Sequence, residues 1–327
     1  MTFVSDSFGS LPQMPSWVTS ARPETLEDVA FLSGAALNHL HLVLKQQDVP
    51  QTLLRERLAL RAAEACVAHA GRPERAADLR DAVGFLLAGD SPGPAGEVYL
   101  AWRRAIGRAI SVSSLHRALP DFDAAQLAEW LDVGRGGAVA RATLVLSSVR
   151  QARPRDAATT LILAEASLAQ ALGWAHVVPM LALGLNRNNL RKTGEDLRFA
   201  AHSAIAKAAT EATREAGVLA RRAAGLRTVA PKLRAKGADR AIDLFLSQDA
   251  IAPSALTSLR SDRAARRCCE RLVELKAVRE LTGRVGRLAE RVALARVDAS
   301  DRCGAVRVCS TCTARRSGTR RGAGGLD

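Results

Sequence analysis

Alanine and leucine carry nearly all the apolar weight of this chain, and that choice restricts its fold more than any motif. Aromatic residues make up 4% of the 327 residues, although 48% are hydrophobic. Ala and Leu are the strongest helix formers, whereas the β-branched and aromatic runs that strands need are scarce. Alanine also lets helices approach closely, at the cost of burying less apolar area per residue. The expectation is an all-α, multi-helix bundle, long enough for one large domain or two smaller ones.

Punctuation along the chain sets the expected elements. Residues 1–20, with Gly9, Pro12, Pro15 and several serines, read as an irregular leader from which Trp17 packs back on the body. Pro23 followed by Glu24, Glu27 and Asp28 reads as a helix start running toward Leu44. Ser33, Gly34, Ala35 and Ala36 on that helix allow close contact with a neighbour. Helices are then expected over Leu53–Ala70, ended by Gly71, over Glu74–Leu87, over Gly96–Ile110, and over Ala124–Leu131 capped by Asp123. Gly89–Gly96 and Gly134–Gly137 read as connections. Val139–Val149, Arg155–Leu172, Glu195–Leu226 and Lys232–Leu246 complete the helical set. The domain reading is a helical domain over 21–185, a linker and long helix over 186–237, a module over 238–284 and a basic disordered tail over 285–327.

Net charge is +14 and unevenly placed. Residues 1–202 hold 21 basic and 20 acidic side chains, 203–284 hold 17 and 9, and 285–327 hold 9 and 4. Localised positive charge attracts phosphate backbones and speeds encounter with them. An arginine-rich surface also follows from a GC-rich gene, so the charge alone does not decide for a polyanion partner.

Six cysteines at 66, 268, 269, 303, 309 and 312 make no disulfide framework. Residues 1–20 lack a basic stretch leading into an apolar one, as a secretory signal requires. Thr160–Leu185, the most apolar stretch, is interrupted by Glu165, Gln170, His176 and Pro179, so no membrane partner is expected. The reading is a cytoplasmic protein with reduced thiols.

No catalytic, cofactor or metal signature emerges. Gly134-Arg135-Gly136-Gly137 follows no strand and lacks the Lys-Ser/Thr that completes a phosphate loop. The six histidines are dispersed, and His39 and His41 cannot share one helical face. Asp78 and Asp81 lie at helical spacing from Arg75 and Arg80, which favours surface ion pairs. Cys309-x-x-Cys312 with Cys303 lacks a fourth zinc ligand. The segment 239–284 is more informative. A helix over Ala238–Leu246, a short helix near Pro253–Leu259 and a third over Asp262–Leu275 capped by Ser261 precede a strand over Ala277–Leu281 and a turn at Thr282–Arg284. That is the order of a winged-helix-like subdomain, related to a helix-turn-helix. Arg263, Arg266, Arg267 and Arg271 give the third helix a basic side, with Arg279 and Arg284 beside it, suited to DNA. A helical subdomain that packs through protein contacts and keeps its arginines for solubility fits the same pattern. An enzyme using Asp81, Asp90 and Arg104 is a third reading.

Several stretches together resemble a bacterial family of unknown function, DUF1403. They are Ala30–Leu37, Arg55–Ala63, Gly89–Gly96 with Trp102-Arg103-Arg104, Ala230–Gly237, and Ser261–Arg267 leading into Val278–Arg284. The resemblance implies no activity and no catalytic residue. It does imply a Gly where this chain has Lys276, a large apolar residue near Cys268 and Cys269, and an aromatic closing strand. Here aromatic-free sequence begins at Val285, which we read as replaced or frame-shifted, and Val278–Leu281 is expected to be left as an unpaired edge.

Overall fold

Helix starts follow from polar side chains that satisfy otherwise orphaned backbone donors. Thr25 Oγ1 accepts from the Asp28 N–H at 3.1 Å while Asp28 Oδ2 accepts from the Thr25 N–H at 3.2 Å. This reciprocal box, rather than Pro23, opens the second helix. Asp123, Asp156 and Ser261 cap three later helices by accepting one backbone N–H each. The computed structural model describes residues 11–86, 89–233 and 237–281, together with the backbone of 292–294.

Those residues contain thirteen α-helices. The first seven are α1 (Ser16–Thr19), α2 (Leu26–Leu44), α3 (Gln51–His69), α4 (Ala76–Gly84), α5 (Gly93–Ile106), α6 (Val112–Ala118) and α7 (Ala124–Asp132). The rest are α8 (Ala138–Ala152), α9 (Ala157–Ala171), α10 (Leu181–Gly184), α11 (Gly194–Val229), α12 (Ala238–Phe245) and α13 (Asp262–Glu274). Two three-residue strands, β1 (Val278–Glu280) and β2 (Val292–Leu294), pair antiparallel with Val278 opposite Leu294. The protein is mostly helical, as the Ala/Leu composition requires. The described residues belong to one compact unit.

The core is organised around α9, whose residues Thr159–Ala169 are all buried. A helix that is apolar on every side must be covered on every side. Here α8 covers it most extensively, with α3, α5, α7 and α10 around the rest. The stretch weighed as a membrane span is thus the central helix of the bundle. Among the described residues no helix is long and apolar enough to cross a membrane. The 36-residue α11 packs along α2. Its buried residues include an alanine stripe, Ala201, Ala204, Ala208, Ala212 and Ala216, and its His202 meets Ser33 of α2. On α10, a Cβ at Gly184 would lie 2.4 Å from the Ala204 carbonyl oxygen, so glycine sets that approach.

Trp17 stacks on Phe31 with ring centroids 5.6 Å apart, as the packing of the leader on the body requires, although Trp17 keeps 49% of its surface exposed. Asp78 does not serve as a surface ion-pair partner in the way its spacing suggests. Its Oδ2 accepts the Arg75 backbone N–H and caps α4, while Arg75 reaches toward Glu64.

The winged-helix-like subdomain is not supported. Its expected second helix near Pro253–Leu259 is a single 3-10 turn at Pro253–Ala255. Pro253 suits the first position of either kind of helix, but Ser254, Thr257 and Ser258 compete for the backbone groups and are weak helix formers. The backbone instead closes i to i+3 bonds at Leu256 and Leu259. The expected unpaired edge at Val278–Leu281 is also corrected, since β1 is paired with β2. The Cys303/Cys309/Cys312 reading and the disordered tail lie outside the described residues.

Helices α3, α9 and α13 all end in the same motif. The N–H groups of Gly71 and Arg72 bond back to Ala68 and Val67, and those of Gly173 and Trp174 to Gln170 and Ala169. In α13 the corresponding donors are Lys276 and Ala277, bonded to Val273 and Leu272. This ending needs a left-handed residue, normally glycine. Lys276 holds it at φ 55°, as the only non-glycine residue with positive φ among those described. Lys276→Gly should therefore stabilise the protein by about 1 kcal/mol, measured by denaturant unfolding. An unchanged or lower midpoint would contradict the assignment of strain.

Candidate functional site

The basic helix α13 is divided cleanly into two sides. Ala265, Cys268, Cys269 and Leu272 are buried, the two thiols reduced and packed as small apolar groups. Burial pushes the Cys268 thiol pKa up, which makes it unreactive. Arg263, Arg266, Arg267 and Arg271 are exposed, and their spacing of three and four places them along one face. Glu270 and Glu274 share that face. Arg271 Nη1 meets Glu274 Oε2 at 2.8 Å, so its charge is partly spent. Arg263, Arg266 and Arg267 make no ion pair among the described residues. Arg263 also sits in the first turn of the helix, where the helix dipole opposes positive charge.

Arg279 is exposed on β1 and makes an interaction of its own. Arg284 lies outside the described residues. Beside α13 a cavity of about 740 Å³ runs toward residues 231–233, with Lys232, Arg267 and Arg271 contributing its cations.

An ionic network ties the loop between α12 and α13 to the body. Asp249, buried on that loop, receives Arg57 Nε from α3 and Arg80 Nε from α4, both at 2.8 Å, one on each carboxylate oxygen. Arg57 also reaches Glu215 of α11 at 2.7 Å. Next to it Glu56 Oε1 accepts from the Tyr99 hydroxyl at 3.0 Å and from Arg103 Nε at 2.6 Å. Burial raises the Glu56 pKa, while the Arg103 charge and the Tyr99 hydroxyl pull it back. Sequence reading noted Arg55–Ala63 and Trp102–Arg104 but did not foresee that they meet; alternation of charge along separate helices gives no cue to such a meeting.

Other polar groups have structural partners. His202 Nδ1 lies 2.6 Å from Ser33 Oγ, and the Trp174 indole donates to His41 Nδ1 at 2.8 Å. Among the described residues no group of three His, Cys, Asp or Glu side chains could hold a metal ion. Glu165 is among the buried groups that are only partly paired. It is fully buried, accepts the Ala182 N–H at 2.9 Å through Oε1, and leaves Oε2 without a partner. Of the residues weighed for an enzyme, Arg104 lines a cleft whose lining includes neither Asp81 nor Asp90.

No curated protein matches the chain. The model of one family, described as a protein of unknown function, matches residues 3–288. The chain belongs to that family, DUF1403.

Proposed function

We propose that the protein binds nucleic acid, most simply duplex DNA, through the exposed face of α13. The observation that carries this reading is the trio Arg263, Arg266 and Arg267, exposed and without carboxylate partners among the described residues. Cations held close together and not ion-paired, one of them in the first turn of a helix, repel one another unless an anion meets them. A phosphate backbone supplies that anion at regular intervals. Lys232, across the groove from Arg267, extends the positive strip. Contacts of this kind position a protein on DNA and carry no sequence information by themselves.

Duplex DNA binding measured over a salt series tests the proposal. Three phosphate contacts give a slope of about −2.7 in log affinity against log salt, so affinity falls roughly 40-fold between 50 and 200 mM. The Arg263→Ala/Arg266→Ala/Arg267→Ala variant should bind more weakly and lose most of that slope. Absence of binding at low salt, or an unchanged slope in the variant, defeats the reading. A helical protein-interaction module would then stand ahead of it, with the arginines serving as a solvated face.

A further inference from the structure

We infer that a second, separate site exists on the body of the protein, a cleft that binds a small organic phosphate carrying two or more negative charges. The cleft has a volume of about 660 Å³ and opens between α3, the C-terminal half of α5, α6 and the loop after α12. Five arginines line it: Arg55, Arg103, Arg104, Arg108 and Arg117. The one acid in its wall, Glu56, is already engaged by Arg103 and Tyr99. That leaves Arg55, Arg104, Arg108 and Arg117, none of which makes an ion pair among the described residues.

Arg55 is the most telling of the four. Its Nε is buried and finds no hydrogen-bond partner, and burial lowers its pKa. An Nε–H withdrawn from water without a partner is costly, and a bound oxyanion that reaches it relieves that cost. Two residues along, Arg57 is saturated by Asp249 and Glu215, so the same helix carries one arginine committed to the fold and one left open. Arg103, pinned by Glu56, gives the cleft a fixed wall.

Four open guanidiniums exceed what a single carboxylate can neutralise, and each can present two parallel N–H groups to a phosphate. The volume falls within the roughly 300–1,000 Å³ of small-molecule sites. Leu100 and Ile106 offer apolar surface for an organic portion, with Thr52 and Gln248 at hand for hydroxyl groups. Duplex nucleic acid is the competing occupant, and the test separates the two.

Thermal unfolding of the full chain is followed with inorganic pyrophosphate, with citrate, and with sodium chloride at matched ionic strength. Pyrophosphate at about ten times its Kd should raise Tm by roughly 3 °C, citrate less, and sodium chloride not at all. The Arg104→Ala/Arg117→Ala variant changes two exposed side chains, so it should fold, keep its helical circular dichroism and bind pyrophosphate at least tenfold more weakly. The α13 triple variant should respond to pyrophosphate like the wild type, which keeps this site distinguishable from the nucleic-acid face. An equal rise with sodium chloride, or a full response in the cleft variant, overturns the site. An equal rise with citrate overturns the phosphate assignment. Loss of DNA affinity in the cleft variant as large as that in the α13 variant assigns the arginines to nucleic acid instead.

Discussion

Replacing Asp249 with alanine should lower the stability of the protein by about 3 kcal/mol, because the change takes a shared carboxylate from two largely buried arginines rather than removing one contact. Arg57 and Arg80 keep only 15% and 21% of their side-chain surface exposed, and each spends its Nε on this carboxylate. With the carboxylate gone, Arg57 retains Glu215 and Arg80 loses the ion pair made by its Nε, so the two sites should contribute unequally. A double-mutant cycle resolves this. Arg80→Met in the Asp249→Ala background should recover part of the loss, since removing both partners of an ion pair costs less than removing one. The loss should also be spatially graded. Asp249 fastens the loop that leads into α13, so limited proteolysis should cut near residues 247–260 well before global unfolding. If Asp249→Ala unfolds at the wild-type midpoint with no new cleavage, the network does not hold the C-terminal segment to the body.

What was legible beforehand was whatever is written locally. Asp123 and Ser261 announce their helices, and Gly71 ends one, because a cap is a contact between residues three to five apart. Alanine and leucine content announced the helical class for a similar reason. Element boundaries are also set locally, and the larger failures are non-local. Pro23 and its acidic followers do announce a helix start, with Glu27 and Asp28 in the first turn of α2, and the box between Thr25 and Asp28 sets its position by satisfying two donors at once. Residues 253–259 were read as a helix from their place in an anticipated order, and local chemistry at Ser254, Thr257 and Ser258 gave a 3-10 turn. The basic face of α13 was visible as spacing. The arginine cleft was not, since its five members come from three helices and a loop. Lys276 shows the reverse case. A glycine implied by resemblance turned out to mark a left-handed position, so the departure has a physical meaning.

Glu165 had been read only as an interruption of an apolar stretch, yet it should govern how stability varies with pH. It has no exposed surface, and burial raises its pKa from 4.5 to about 8, against the partial compensation of N–H groups at Ala182, Leu181 and Met180. Between those two values the folded state holds a proton that the unfolded state has lost, so stability falls as pH rises from 4.5 to about 8. Below 4.5 both states are protonated and above 8 neither is, so the contribution is flat on either side. The total is on the order of 5 kcal/mol. Glu165→Gln keeps an acceptor for Ala182 and removes the charge. It should be near neutral at pH 4 and stabilising by several kcal/mol at pH 9. Other groups also titrate here. Burial lowers the pKa of His69, His176 and His202, which costs stability as pH falls, and it raises that of Glu56. Subtracting the wild-type curve of unfolding free energy from that of the variant cancels those contributions and leaves Glu165 alone. That difference should climb through the interval in which only the folded carboxyl is protonated. A difference that stays level there means the buried side chain is already ionised, with a compensating partner that its surroundings do not supply.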